Sequence, residues 1–398
     1  MKNKSVLIVG SSNVLFTHSY IETCKDNYNN ITYIDTGVNG FKKSNILNNC
    51  DVFVVNKNGL KSKILTRIKK YIKLILKKIK LDRSKIIINF LNLNKNNISV
   101  CREFENFVVN ANPDHIIYLW STTVRKEKLM IDDCFNKAGL NPISILVVNT
   151  YPVNTNCTLS EVNRFKYQDE KYFNSFNKII CTSEIMKKYL IEQIDVKIDK
   201  CIVQCDMLHP SFIKTTESVK NNNKEKKIVF LGNTDFSYRT IDDVKSLLLG
   251  IANNNIEVWI MESKDSLKIN HKNIKLFKPF NYDEMTNGKL SEFVSRFDAA
   301  ILAYNDLNNA RSNISYPTRF AMATLGMIPI FLESSNYFAI EEYSFLRGFI
   351  INYDDHEELT SKLCNDKLLE SKKNGIISYV DYETLFNHSY KKLFDNLK

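Results

Sequence analysis

The chain has 398 residues, of which 44% are hydrophobic and 25% charged, and its formal net charge is +11. This composition excludes a disordered or fibrous chain, and the length exceeds one ordinary hydrophobic core, so we predict a globular protein of two domains. No apolar run reaches the ~20 residues of a membrane-spanning helix, and the N-terminus lacks the apolar stretch and cleavage site of a signal peptide, so we expect a cytoplasmic protein.

Short β-branched segments alternate with amphipathic helical segments from the N-terminus onward. In the first half we predict strands at 5–10, 31–35, 52–55, 86–90, 116–120, 145–149, 178–181 and 201–204. Most of these segments are continuously apolar, which is typical of strands that are covered on both faces of a parallel sheet. The alternation with helices predicts right-handed βαβ units in a doubly wound sheet.

A strongly basic segment lies between the third and fourth predicted strands. Residues 61–85 contain eleven Lys and Arg and one acid, so this window carries +10 of the net charge. At ~100° per residue its apolar side chains fill an arc of about 140°, which predicts an amphipathic helix. Charge confined to one segment argues against a nucleic-acid binder.

Two interpretations of this basic helix are open, and they are compatible. In the first, it covers the sheet and its basic side is simply solvated. In the second, the basic side contacts an anionic membrane surface, which makes the protein peripheral on the inner face of the membrane. The membrane-facing residues would be Lys63, Arg67, Lys70, Lys73, Lys77 and Lys80.

The alternation stops once, in the polar segment 213–227, which we interpret as a linker. Beyond it we predict strands at 227–231, 256–261, 274–277, 299–303, 328–331 and 348–351. The predicted fold is α/β, with two doubly wound Rossmann-like domains that face each other across a cleft. The predicted bounds are 1–214 for the first domain, 215–226 for the linker, 227–380 for the second domain and 381–398 for a helix that crosses back to the first domain.

The cysteines and the common catalytic motifs exclude several classes of site. Nine cysteines are scattered along the chain, several of them inside apolar runs, which indicates buried free thiols rather than disulfides. Cys201 and Cys205 have no matching second pair, so we predict no zinc site, and we expect no other metal. A serine-hydrolase elbow, a P-loop and a His-Glu-x-x-His motif are absent from the sequence.

Several segments resemble GT-B glycosyltransferases, in the right order along the chain. Lys178-Ile-Ile-Cys-Thr-Ser183 and the segment 205–212 resemble parts of their N-terminal domain, and Ile228-Val-Phe-Leu-Gly232 resembles the opening strand of their donor domain. The segments 290–303, 316–329 and 382–394 resemble a donor-domain strand, the donor-site helix and the terminal helix that crosses back. Taken together, these segments most resemble those of the retaining glycosyltransferase family 4. Asn313 and Ala321, however, stand where that family usually carries two glutamates.

The resemblance implies an activity and a set of ligands. It implies a metal-independent transferase without a cofactor, which moves a sugar from a nucleotide-sugar donor in the C-terminal half to a glycan or lipid-linked acceptor. The implied process is bacterial surface polysaccharide biosynthesis. Two alternatives remain open at this point: another GT-B enzyme such as a nucleotide-sugar epimerase, and a non-catalytic GT-B scaffold, which the missing glutamates favour.

The candidate donor-binding residues follow two C-terminal strands. Gly232 and Asn233 end the first strand and would let the donor approach the backbone. Before the donor-site helix, Ser315 or Tyr316 would cap it, Pro317 would occupy its first turn, and Thr318 and Arg319 would contact the diphosphate. An ordinary capped helix with a surface arginine is the alternative. The remaining donor-side candidates are Arg239, Tyr304, Arg311 and Ser312.

The candidate acceptor residues follow strands of the N-terminal half. They are Gly10, Ser11, Ser12, Asn13 and Asn149. His18, eight residues after Gly10, is the candidate catalytic base if it faces the cleft, and a buried structural histidine if it does not.

Overall fold

The structure is a computed structural model that describes most of the chain. The described residues are 4–37, 40–55, 102–153, 158–214, 226–232, 234, 242–303, 311, 314–315, 318–334, 348–379 and 381–395. The predicted strand at 86–90, the whole basic segment 61–85 and nearly all of the predicted linker therefore lie outside the described residues.

The N-terminal half forms a seven-stranded sheet in which the strands pair in parallel. Its strands are β1 Ser5–Gly10, β2 Asn30–Asp35, β3 Asp51–Val54, β4 His115–Leu119, β5 Ile143–Val148, β6 Lys178–Cys181 and β7 Cys201–Val203. They are arranged in the order β3-β2-β1-β4-β5-β6-β7. The central strands are rich in Val, Ile and Leu because helices cover both faces of the sheet.

Helices pack on the two faces of this sheet. The helices are α1 Leu15–Lys25, α2 Arg102–Ala111, α3 Arg125–Ala138, α4 Leu159–Phe173 and α5 Glu184–Ile194. The buried side chains of α1 belong to one apolar cluster, and those of α2 to α5 belong to another on the opposite face. Local signals set several helix ends: Thr158 forms a capping box with Glu161, and Gly139 ends α3 with a positive φ.

The C-terminal half forms a six-stranded parallel sheet. Its strands are β8 Lys227–Phe230, β9 Glu257–Met261, β10 Ile274–Phe277, β11 Ala299–Leu302, β12 Ile330–Glu333 and β13 Ile350–Tyr353, in the order β10-β9-β8-β11-β12-β13. Its helices are α6 Asp242–Asn253, α7 Tyr282–Thr286, α8 Lys289–Val294, α9 Thr318–Thr324, α10 His356–Leu363, α11 Asp366–Tyr379 and α12 Tyr382–Asp395.

The predicted fold class, α/β with two doubly wound parallel sheets, is confirmed. Each predicted strand that falls on described residues is present, with its ends displaced by no more than two residues. The strand predicted at 328–331 begins at Ile330 because Pro329 precedes it and has no N–H for the ladder. The Pro329 carbonyl instead accepts a bond from Ala300 N.

The last helix, α12, packs on residues of the N-terminal half. The Tyr382 hydroxyl donates to the Leu208 carbonyl at 3.0 Å, and the Tyr390 hydroxyl donates to the Met207 carbonyl at 3.1 Å. The Tyr390 ring also meets the Tyr20 ring of α1 edge to face, with 5.6 Å between centroids. One apolar cluster consequently runs without interruption from α1 through α12 to α8 and α9.

Candidate functional site

Each sheet has one topological switch point, where neighbouring strands send the chain to opposite faces. In the C-terminal sheet this point lies between β8 and β11. The helix α6 follows β8 and buries Val244 and Leu248 on one face, whereas α9 follows β11 and buries Phe320 and Ala321 on the other. Because the two connections diverge, a crevice forms at the carboxyl ends of β8 and β11, and this is where open α/β sheets bind ligands.

Arg319 lies in the crevice of the C-terminal sheet. It belongs to the first turn of α9, and its Nη1 donates to the carbonyl of Ala303, which directly follows β11, at 3.5 Å. Its guanidinium carbon lies 5.8 Å from the centre of the Phe230 ring of β8. The structure thus brings this arginine, which was predicted to bind the diphosphate, to the carboxyl ends of both central strands.

Gly232 leaves the space that Arg319 occupies. A Cβ atom at this position would lie 2.8 Å from Arg319 Nη1 and 2.1 Å from the Phe230 ring. Both separations are shorter than any normal contact, so a side chain here would displace the guanidinium. Two predicted donor residues are therefore adjacent, and a guanidinium held in this way can bind a diphosphate through paired hydrogen bonds.

Sequence reasoning missed a set of hydroxyls at the same edge of the sheet. Thr234, two residues after Gly232, donates from Oγ1 to the Met261 carbonyl at 2.8 Å. Ser263 Oγ donates in turn to the Thr234 carbonyl at 3.0 Å. These bonds hold the chain beyond β8 against the end of β9. Their only sequence signal was the position of Thr and Ser just after two strands.

Ser315 and Arg311, predicted on the donor side, contact the N-terminal half. The Ser315 hydroxyl donates to the Tyr151 carbonyl at 2.8 Å and accepts from the Tyr151 N–H at 2.9 Å. Arg311 Nη1 donates to the Val153 carbonyl at 2.9 Å, and Ile314 is buried in the N-terminal apolar cluster. The prediction that Ser315 caps the donor-site helix is corrected, because its hydroxyl bonds the backbone of the loop after β5.

Thr318 is the first residue of α9 and is half-buried, next to Arg319. Six other predicted donor-side residues lie outside the described residues, as do all the predicted membrane-facing residues. They are Asn233, Arg239, Tyr304, Ser312, Tyr316 and Pro317 on the donor side, and Lys63, Arg67, Lys70, Lys73, Lys77 and Lys80 on the basic segment.

The turn after β1 lies at the switch point of the N-terminal sheet, between β1 and β4. Gly10 ends β1, and Ser11 follows at the edge of the sheet. Ser12 and Asn13 are used structurally: Ser12 N donates to Asp35 Oδ2 at 2.7 Å, and Asn13 Nδ2 donates to the Gly40 carbonyl. Of the four predicted acceptor residues in this turn, Ser12 and Asn13 therefore bind the loop after β2.

His18 is a buried structural histidine, so its prediction as a catalytic base is corrected. Its Nε2 lies 2.9 Å from the Ser12 carbonyl and its Nδ1 lies 3.0 Å from Ser44 Oγ, so both ring nitrogens have protein partners. Burial lowers the pKa of His18 below its usual value. The ring stacks on Tyr282 of α7, 4.7 Å between centroids, while Asp283 Oδ1 accepts from Asn45 N at 2.7 Å. His18 thus supports a contact between the two halves.

Asn149, predicted on the acceptor side, is buried against a carboxyl group. Its Nδ2 donates to both carboxylate oxygens of Asp206 at 3.0 Å. Burial raises the pKa of Asp206 to about 8, and the hydrogen bonds from Asn149 oppose this increase in part. A carboxyl group that is protonated near neutral pH lies here below the domain junction, and no sequence pattern pointed to it.

The described residues contain neither a metal-binding cluster nor a membrane-spanning helix. No group of three or more His, Cys, Asp or Glu residues in the described ranges could hold a metal ion. None of the helices in the described part of the chain is both long and apolar enough to cross a bilayer.

Several glycosyltransferases of solved structure share this two-sheet architecture. A glycosyltransferase from Rickettsia africae has a TM-score of 0.54 at 12% identity, with 99% of each chain covered. Anabaena Alr3699/HepE, solved in complex with UDP and glucose, has a TM-score of 0.61 at 10% identity, again with 99% of each chain covered. The chain has the GT-B fold. Likeness at such low identity shows the fold and leaves the activity to be proposed.

A third solved structure is longer than this chain, and the match covers only part of it. An O-GlcNAc transferase from Thermobaculum terrenum matches with a TM-score of 0.53 at 8% identity, over 99% of this chain and 68% of that one. No protein-family model and no curated protein sequence matches the chain. The resemblance to family 4 consequently stays a prediction from the sequence.

Proposed function

We propose that this protein is a glycosyltransferase that binds a nucleotide-sugar donor at the switch point of its C-terminal sheet. The single observation that carries the proposal is the Arg319 guanidinium held between Phe230, Gly232 and Ala303 at the carboxyl ends of β8 and β11. Anabaena Alr3699/HepE, which shares the fold, was solved with UDP and with UDP-glucose. This supports UDP as the first nucleotide to test.

The proposed reaction breaks the bond between the anomeric carbon and the diphosphate oxygen of the donor. A hydroxyl oxygen of the acceptor forms the new bond to that carbon, its proton is released, and the nucleoside diphosphate leaves. Arg319 would stabilise the negative charge that develops on the diphosphate, because a guanidinium offers two parallel N–H donors. We propose that this charge stabilisation needs no bound metal and no cofactor.

We further propose that the acceptor is a glycan or a lipid-linked glycan used in bacterial surface polysaccharide assembly. The basic segment 61–85 supports this proposal, since each Lys or Arg near an anionic membrane contributes about 1 kcal/mol to binding. Binding to vesicles with and without anionic lipid tests it. Charge-reversing changes at Lys70, Lys73 and Lys77 are expected to abolish the lipid dependence, and unchanged binding would reject the membrane contact.

Donor binding is tested by thermal shift with UDP, other nucleoside diphosphates and their sugars, because a ligand that binds only the folded state raises the melting temperature. The variant Arg319→Gln is expected to bind about 10- to 100-fold more weakly, the loss of hydrogen bonds to a charged group. Arg296→Gln is the matched control, because Arg296 is 61% exposed and pairs with Glu292 on α8.

One observation favours a non-catalytic scaffold as the second candidate. Ala321, at a position where family 4 usually carries a glutamate, is 1% exposed and packs in the core. A scaffold with this fold would show no thermal shift with any nucleotide, and Arg319→Gln would then change nothing. Product analysis after incubation with a nucleotide sugar separates a transferase from an epimerase, which would return an isomer of the donor sugar.

A further inference from the structure

An aromatic residue lies at the switch point of the N-terminal sheet. In this sheet the switch point lies between β1 and β4, because α1 and α3 cover opposite faces. Trp120 directly follows β4. Its neighbours Leu119 and Ser121 are 2% and 0% exposed, whereas Trp120 is half-buried and packs only in part against the apolar cluster. A tryptophan, which has the largest side chain of the amino acids, thus lies at the position where a doubly wound sheet binds ligands.

The backbone at Trp120 is unfavourable for such a residue. Trp120 has φ 76° and ψ 52°, and Ser121 follows with φ 53°. A bulky residue rarely adopts this left-handed conformation, which glycine or asparagine adopts more easily. Such outliers concentrate at binding and catalytic sites.

Surrounding hydrogen bonds hold this conformation. Thr123 Oγ1 donates to the Trp120 carbonyl at 2.7 Å, and the Tyr172 hydroxyl of α4 donates to the Ser121 carbonyl at 3.0 Å. On the other side of the switch point, Gly10 has no side chain. A Cβ atom at this position would lie only 3.1 Å from the Leu119 Cβ. The crevice is therefore narrow at its base, and the backbone that carries the indole is held beside it.

We propose that Trp120 is the platform on which the acceptor sugar stacks. A pyranose ring has an apolar face of C–H groups and a rim of hydroxyls, so it matches a flat indole whose single N–H lies at its edge. The inference rests on the proposed function, because Arg319 assigns the facing crevice to the donor and leaves the N-terminal crevice for the acceptor. Trp120 then selects sugars that expose an unbroken C–H face.

The chain contains two tryptophans, which makes the platform observable by fluorescence. Trp259 lies in β9 of the other sheet and packs on Phe297 with 5.8 Å between ring centroids. The variant Trp259→Phe keeps Trp120 as its single tryptophan, and Trp120→Phe keeps Trp259. Each is titrated with the methyl glycosides of glucose, galactose, mannose and N-acetylglucosamine.

At least one glycoside is expected to give a saturable emission change in Trp259→Phe and none in Trp120→Phe. No saturable change with any of the four, or equal changes in both variants, would overturn the platform. The wild-type thermal shift with UDP is measured beside it. UDP binding without glycoside binding rejects the platform alone, whereas glycoside binding without any nucleotide binding rejects the proposed transferase and keeps a sugar-binding Trp120.

A second pair of variants distinguishes stacking from packing. Trp120→Phe keeps a flat ring, and Trp120→Leu keeps apolar bulk without one. Calorimetry is expected to show glycoside affinity near wild type for the Phe variant and about tenfold weaker for the Leu variant, about 1.4 kcal/mol. Both variants keep the UDP shift. If the Leu variant loses UDP binding and melting temperature together, or if it binds glycosides as the Phe variant does, the residue is a packing residue and the proposal fails.

Discussion

Replacing Asp206 by asparagine tests whether the buried carboxyl group at the domain junction is neutral in the folded protein. Asp206 is 2% exposed, and Asn149 Nδ2 donates to both of its oxygens at 3.0 Å. Within the described residues, Asn149 Oδ1 and Gln204 Oε1 are buried and have no hydrogen-bond partner. The variant Asp206→Asn removes the group that would ionise, keeps an acceptor oxygen for Asn149 Nδ2 and adds an N–H group beside the Asn149 amide.

The magnitude follows from the pKa of Asp206, which burial raises from 3.8 to about 8. The folded state therefore holds this proton more tightly than the unfolded state. The contribution of Asp206 to the free energy of unfolding is consequently greatest below about pH 4 and falls as the pH rises toward 8. Each pKa unit is worth about 1.4 kcal/mol, so wild type loses up to about 4 kcal/mol between pH 4 and pH 7 through this group. The asparagine variant is expected to lack this loss.

Urea unfolding followed by circular dichroism, at several pH values from 4 to 8, measures the difference between the two proteins. The free energy of unfolding of the variant, relative to that of wild type, is expected to increase steadily from pH 4 to pH 8. Asp133→Asn is the control, because Asp133 is 53% exposed and pairs with Lys137 on the surface of α3. If the difference between Asp206→Asn and wild type is the same at every pH, Asp206 is ionised in the folded state and the reasoning is refuted.

Three further substitutions test individual contacts in the structure. Gly232→Val is expected to abolish the thermal shift with UDP while the protein stays folded, because its Cβ would lie 2.1 Å from the Phe230 ring; normal UDP binding would contradict the donor crevice. Ser315→Ala removes two hydrogen bonds to Tyr151 and is expected to cost about 2 kcal/mol in urea unfolding; the control is Ser295→Ala, a half-buried serine whose hydroxyl donates locally to the Glu292 carbonyl. Asp169→Asn, which loses the charge of its ion pair with Arg125, is expected to cost about 2 kcal/mol; an unchanged unfolding midpoint would show that the pair contributes nothing.

The strands and the two-sheet organisation were predictable because they depend on local pattern. A strand covered on both faces must be apolar over several consecutive residues, and that run is visible in the sequence of β1 or β11 without any knowledge of neighbours. Gly232 and Arg319 were predictable in the same way. Each directly follows or begins an element, and the carboxyl ends of parallel strands meet at one edge.

Residue roles that depend on distant partners were not predictable. Ser315 was expected to cap the donor-site helix, but its hydroxyl bonds a backbone 164 residues away. His18 was open to two interpretations, a base that faces a cleft or a buried structural histidine, and Tyr282 from the other half of the chain covers its ring. In both cases the side chain suits either role chemically, and the contact that decides between them has no local signal.

The sequence by itself determined an α/β chain of two parallel sheets and the edge at which sheets of this class bind ligands, since hydrophobic periodicity and strand ends are local properties. The tertiary structure alone decided the strand order, and with it which two strand ends flank each crevice. It also decided that Arg319 and Trp120 lie in those crevices and that Asp206 is buried deeply enough to hold a proton. These depend on the packing of segments far apart in the chain, which sets distance, burial and charge together.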